Sequence, residues 1–349
     1  MPEVSPDRRT DALPSSLGTV TTLRLGGPPS TLSVVADPDE AVATIRTAHA
    51  DGEPVLILAG GSNVVIGDAG FPGHVVLLRT RGAEVIDRAD RHVTVRVAAG
   101  EPWDGFVAGT VAEGFAGVEC LSGIPGSAGA TPIQNVGAYG QEVAQTIVAV
   151  HAYDRSADRA VTMSPAECGF AYRSSVFKHN DRWLVLHVDF RLPVSAESAP
   201  IRYAELARQL GVEVGDRVPL QQARDTVLKL RAGKGMVLDA DDHDTWSVGS
   251  FFTNPVLDAL PEAGMPHWPA GGGRVKIPAA WLIERAGFDK GFSRGGGVAI
   301  SSKHTLALTN RGDGTTGALL DLARTIRDGV RDRFGITLHP EPVLINCSL

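Results

Sequence analysis

Five short stretches of the sequence combine residue types that can do chemistry. Gly60, Gly61, Ser62 and Asn63 follow directly on an apolar run. Successive small residues let backbone N–H groups form a concavity for an anion such as a pyrophosphate, although a plain hairpin turn has the same spacing. Residues 124–140 carry no charge and space their glycines closely. Such a backbone suits close approach to a large planar or phosphorylated ligand, with Gln134, Asn135 and Tyr139 supplying hydrogen bonds. A loop of that length is unusual as a mere connection. Residues 172–178 set Arg173 and Lys178 beside Tyr172 and Phe177, and residues 249–255 place Ser250 between a glycine and two phenylalanines, where a shielded hydroxyl needs a partner or a task. Glu341 stands between Pro340 and Pro342, which fix its backbone on both sides. A surface strand, a capping serine and an edge-strand turn are the plain structural readings of these last three.

Familiar signatures are missing. No G-x-G-x-x-G follows a strand, and neither a P-loop nor an H-E-x-x-H occurs. The acidic run 239–244 lacks the glycine and the glutamate that a calcium loop needs at its sixth and twelfth positions, which are Asp244 and Ser250, so it reads as a solvated surface loop.

The elements that must position these stretches are partly readable. Residues 31–36 form a strand-like run. Asp37, Pro38, Asp39 and Glu40 then supply an N-cap, a first-turn proline and first-turn acids for a helix that Gly52 ends. Further strands are expected at 55–59, at 74–79 and where Val93, Val95 and Val97 alternate, with a helix over 102–114. Strands return at 147–153 and 183–192, and residues 193–200 read as a linker. Beyond it come helices over 203–210 and 220–230, a strand at 248–252, a helix over 278–286, strands near Val298 and Leu306, a helix over 317–334 and a last strand at 336–345. The class is α+β with a boundary near residue 195, and residues 1–16 read as a flexible extension.

At 349 residues the chain has room for two or three domains. Hydrophobic residues make up 43% and charged residues 21%, which excludes wholesale disorder. The net charge of −7 has the wrong sign for a nucleic-acid binder, although a local cluster of cations still suits an anionic ligand. Cys120, Cys168 and Cys347 form neither a disulfide framework nor a zinc motif, so no metal is expected. The N-terminus has no apolar core of a secretory signal, and the glycines and prolines of 120–141 break any spanning helix. A soluble cytoplasmic protein without a membrane partner is the expectation.

In order and spacing, GGSN, PGSAGATPIQNVGAYG, YRSSVFK, GSFFTNP, AAWLIERAGFDKG, KHTLALTN and HPEP resemble the UDP-N-acetylenolpyruvoylglucosamine reductase family over nearly the whole chain. The resemblance implies an FAD-binding domain of the PCMH/vanillyl-alcohol-oxidase type over 17–195 and an α+β substrate-binding domain over 196–349. It assigns Gly60, Gly61, Ser62, Asn63, Pro125, Gly126, Gly129, Thr131, Gln134, Asn135, Gly137, Ala138 and Tyr139 to noncovalent FAD, since neither loop contains a histidine. It makes Arg173, Ser250 and Glu341 the catalytic residues. Tyr172, Lys178, Tyr203, Lys234, Asn254 and His304 fall to the substrate, with the Tyr203 segment matching the subgroup that closes a tyrosine-bearing loop. Arg294 is a further candidate cation. The implied reaction is NADPH-dependent reduction of UDP-N-acetylglucosamine enolpyruvate to UDP-N-acetylmuramate by a monomer, in peptidoglycan precursor synthesis. Two other readings share the N-terminal half. A PCMH-type FAD oxidase of another substrate has no use for GSFF together with HPEP, and a non-catalytic nucleotide-sugar-binding relative has no need of an intact trio. Residues 236–248 depart from a minimal family member in length and acidity.

Overall fold

The computed structural model describes residues 16–349; of the extension expected over 1–16, all but Ser16 lies outside the described residues. The chain begins with two layers that face a common cleft. Strands β1 (Pro29–Val35), β4 (Phe71–Leu78) and β2 (Val55–Leu58) form a parallel sheet in the order β1-β4-β2. Helix α1 (Pro38–Ala50) covers it, because the Asp37 carboxylate accepts from the Asp39 and Glu40 N–H groups and the 3.6-residue period turns Ala41, Ile45 and Ala48 inward. The second layer is a five-stranded antiparallel sheet. It runs Arg159–Met163, Ile147–Asp154, Trp183–Pro193, β6 (His92–Ala98) and β5 (Ala83–Arg88).

Helix α2 (Trp103–Ala112) closes this layer. Trp103 is fully buried, with ring centroids 5.6 Å from both Phe106 and Phe190, and its indole N–H donates to the Leu121 carbonyl, the start of the glycine-rich segment. Helix α3 (Pro165–Cys168) is a single turn with a complete capping box from Ser164 and Glu167.

Residues 193–200 are not a linker. Pro193 ends a sheet strand, Ser198 is fully buried against Val218, and the Ala199 N–H donates to the Glu119 carboxylate at 2.7 Å. Glu119, itself fully buried, also accepts from Gly117 and Gln141, so a buried acid that must be satisfied organises the crossing. Helices α4 (Ala204–Leu210) and α5 (Leu220–Gly233) follow and bury Leu206, Ala223 and Val227 against Cys120.

The C-terminal core gathers around α6 (Ala279–Arg285) and α7 (Thr316–Phe334), with the hairpin of Val298–Ile300 and Leu308–Asn310. The segment expected as a strand at 248–252 makes only single bridges, Ser250 to Ala307 and Phe252 to Pro340, because it is clamped between two irregular neighbours. The last strand is likewise shorter than expected, Val343–Ile345, and it pairs in parallel with β3 (Val64–Ile66) at the other end of the chain. The acidic run is solvated as expected only over its first half, where Asp239 and Asp241 are exposed. Asp244 is buried, accepting from Ser302 and Arg311, and Asp242 pairs with Lys303. Trp103→Ala should cost about 3–5 kcal/mol, since it empties a packed site and orphans the Leu121 carbonyl; calorimetric unfolding showing no loss would contradict this role.

Candidate active site

The segment Gly60–Asn63 is not a hairpin. It connects β2, which pairs with β4, to β3, which pairs with Val343–Ile345. Glycine is required here by space. A Cβ on Gly60 would lie 2.5 Å from the Gly126 Cα, one on Gly61, where φ is 58°, would lie 2.2 Å from the Val20 carbonyl oxygen, and one on Gly129 would lie 2.4 Å from the Ala99 Cβ. The two glycine loops therefore touch backbone to backbone. Among the described residues, the N–H groups of Gly60, Gly61, Ser62 and Asn63 donate to no protein acceptor. Four consecutive free donors on one wall suit the pyrophosphate of a dinucleotide such as FAD.

These residues line a cavity of about 520 Å³ together with Pro125, Gly126, Gly129, Thr131, Gln134 and Gly137. The Asn63 amide donates to Gln134 and ties the two loops together. The same cavity is lined by Arg173, Ser250 and Glu341, from three stretches remote in sequence. Arg173 adopts a left-handed backbone (φ 52°) in a turn that Lys178 caps by donating to its carbonyl. Its guanidinium donates to the Gly137 carbonyl at 2.7 Å and sits 3.2 Å from the Glu341 carboxylate, the two side chains being 21% and 14% exposed. Burial pushes the Glu341 carboxyl up from the ordinary range, against the pull of Arg173 and Lys178. Its N–H donates to Phe251 and the Thr253 N–H donates to His339, while Phe251 donates to Leu306. That ladder sets Ser250 beside Glu341 on one wall.

Other expected residues lie apart from the lining. Asn135 is buried and its amide is spent inside the loop, donating to Glu142 and Ala171 and accepting from Ala144. Ala138 forms a two-residue strand pair with Gln141. Tyr139 meets Tyr203 edge to face at 5.4 Å, and Lys234 lies 5.8 Å from its ring, so these three make one cluster. Burial pushes the Tyr139 phenol up to about 12. Lys234 pairs with Glu205 at 2.6 Å, and His304 is held down to about 4 by burial and by Lys234, Lys290 and Arg231. Lys276 sits 4.3 Å over the Tyr172 ring. Asn254 accepts from the Ala279 N–H at the start of α6, and Arg294 is bonded to Thr325, away from the cavity.

Two lining residues escape sequence reasoning. Arg231, in the last turn of α5, has a buried Nε without a hydrogen-bond partner, and burial pushes its guanidinium down to about 10. Ser127 is 4% exposed and its hydroxyl is likewise unpartnered. A helical arginine reads as surface and a serine among glycines as filler; only burial singles them out.

Gly60→Ala should weaken FAD binding by the apoprotein at least tenfold, read by flavin fluorescence titration; an unchanged affinity would separate the loop contact from the cradle. His304 generates a pH effect. Its folded value lies below the unfolded 6.5, so the unfolded chain binds the extra proton and stability falls as pH drops from 6.5 towards 4, by about 2–3 kcal/mol. His304→Gln should flatten that slope in denaturant titrations, and an identical slope would contradict it.

Residues 29–160 match a family model described as an FAD binding domain, and residues 241–345 match the C-terminal domain of UDP-N-acetylenolpyruvoylglucosamine reductase. The enzyme of that name from Salinispora arenicola is 59% identical, covering 100% of this chain and 99% of its own; that from Thermobifida fusca is 56% identical, covering 95% and 97%. The crystal structure of the UDP-N-acetylenolpyruvylglucosamine reductase of Thermus caldophilus shares the fold at a TM-score of 0.66 and 24% identity, covering 95% of this chain and 97% of that one. An FAD-binding half, a matching C-terminal half and full-length identity above one half leave one conclusion: the chain belongs to the UDP-N-acetylenolpyruvoylglucosamine reductase family.

Proposed function

We propose that this protein is a cytoplasmic flavoenzyme that uses NADPH to reduce the enolpyruvyl double bond of UDP-N-acetylglucosamine enolpyruvate, yielding UDP-N-acetylmuramate for peptidoglycan precursor synthesis. The observation that carries this reading is the presence of Arg173, Ser250 and Glu341 on the walls of the same cavity as the two glycine loops. Residues 17–195 would hold FAD and 196–349 the substrate, with the strand Val343–Ile345 crossing back to β3. All the groups needed come from one chain, which suits a monomer. Noncovalent FAD is supported by Cys120, whose thiol burial pushes up and which does not line the cavity. No described helix is long and apolar enough to cross a membrane.

Gly60–Asn63 and the 124–140 loop would hold FAD, which when bound would supply the hydride chemistry, with NADPH as the source of electrons, for addition at the terminal vinyl carbon. Negative charge then builds on the adjacent carbon and its carboxylate, and an ionised carboxylate is a poor electron sink. Arg173 answers this with a planar guanidinium that pairs two oxygens at once, as a lysine ammonium does not. Its carbonyl anchor on Gly137 fixes the fork before substrate arrives. Glu341, whose burial favours the protonated form, assists in binding the same carboxylate region. Ser250 protonates the carbanionic carbon. A hydroxyl is a weak acid, but towards so basic a carbon proximity decides the rate. Tyr203 and Lys234, with Asn254 and His304, would bind the nucleotide diphosphate and sugar, and Lys234 is the cation among them.

In Ser250→Ala, NADPH should still bleach the flavin at the native rate, while reoxidation by substrate falls roughly 10²–10⁴-fold in anaerobic stopped flow. Native reoxidation would remove Ser250 from the scheme. Arg173→Lys should lose at least tenfold in that same half-reaction, and an unchanged rate there would refute its role.

A further inference from the structure

We propose that a second cavity, on the reverse side of the glycine loops, is a binding site for a small phosphorylated polyanion. It measures about 710 Å³, and its lining includes Gly60, Gly126 and Ser127, so the paired loops form a wall common to both cavities. Its other walls come from residues 16–24, from the Arg79–Arg81 turn after β4, and from Trp246, Asn310 and Gly312. None of the residues assigned above to catalysis or to the nucleotide sugar borders it.

The case rests on charge. Arg24, Arg79 and Arg81 all face this cavity, and among the described residues its lining contains no carboxylate. Among the described residues none of the three forms an ion pair. Every other feature of the chain works against such a cluster, since its net charge is −7 and acids outnumber cations. Arg79 and Arg81 lie close enough to repel, the proton affinity of Arg79 being lowered by burial and then by Arg81.

The three are also held in place with donors to spare. Arg79 spends one nitrogen on the Ala59 and Leu78 carbonyls, and Arg81 spends one on Thr80 and Gly100. Arg24 has a left-handed backbone (φ 55°), and its guanidinium carbon lies 3.9 Å from the centre of the Trp246 ring, a cation–π contact that leaves its N–H groups without a protein acceptor among the described residues. Ser127, on the common wall, is 4% exposed, and its buried hydroxyl has no partner among the described residues. Pre-positioned forks with a serine hydroxyl match phosphoryl oxygens, which accept bidentate pairs and carry more than one charge.

The test is calorimetric titration of the FAD-loaded protein with inorganic pyrophosphate at low ionic strength. One binding event should persist in Lys234→Ala, which disables the nucleotide-sugar side. The same event should weaken at least tenfold in Arg24→Gln/Arg81→Gln and in Thr19→Glu, which sets a carboxylate on the exposed rim, and Arg24→Lys/Arg81→Lys should restore part of it. The flavin spectrum, unchanged throughout, reports intact folding. Loss of all binding in Lys234→Ala, native affinity in the charge variants, or equally tight binding of citrate would each overturn the proposal; none of these results bears on the reductase reading, which the half-reactions test.

Discussion

The contact between the Arg173 guanidinium and the Glu341 carboxylate is the constraint around which the cleft is arranged. A guanidinium with little solvent access, beside a carboxyl that burial biases towards protonation, is tolerable only when it has further acceptors. Arg173 finds them in the Gly137 carbonyl and a turn capped by Lys178, and this fastens the 172–178 turn to the glycine-rich loop. Glu341 is fixed through its backbone to Phe251, which brings the Ser250 segment alongside. Satisfying one pair thus draws the flavin side, the turn and the C-terminal core into a single wall.

The glycine loops impose the complementary constraint. With Gly60 and Gly126 in backbone contact, neither loop can move without the other, and Asn63 adds a side-chain tie to Gln134. The buried Glu119 plays a similar role below them, gathering Gly117, Gln141 and Ala199 around one carboxylate. Rigidity here comes from small residues and satisfied polar groups rather than from bulk.

Much of this arrangement was legible where local chemistry dominates. The Asp37 cap with Pro38, the apolar run of β2 and the long stripe of α7 each declare themselves because propensity, capping and periodicity agree. The grouping of Arg173, Ser250 and Glu341 on one cavity emerged only through resemblance, since three side chains from distant stretches carry no common period. Strand β5 was illegible because all six of its residues are exposed and its pairing with β6 alone makes it a strand. Residues 193–200 looked like a linker because Ser, Ala, Glu and Pro are loop-formers; what orders them is an acid eighty positions earlier. Asp244 looked solvated for the same reason, its partners Ser302 and Arg311 being remote.

The pairing of β3 with Val343–Ile345 has a consequence for biosynthesis. Cys347, just beyond that strand, donates to Val65 across 282 positions, so the short strand that follows Gly60–Asn63 waits for its neighbour until residues 343–345 have emerged from the ribosome. Such late, long-range closure is slow, and it leaves a bare strand edge next to the glycine loops during translation. The two N-terminal sheets can therefore assemble early, but the cleft acquires its final border only once residues 343–345 arrive to pair with β3.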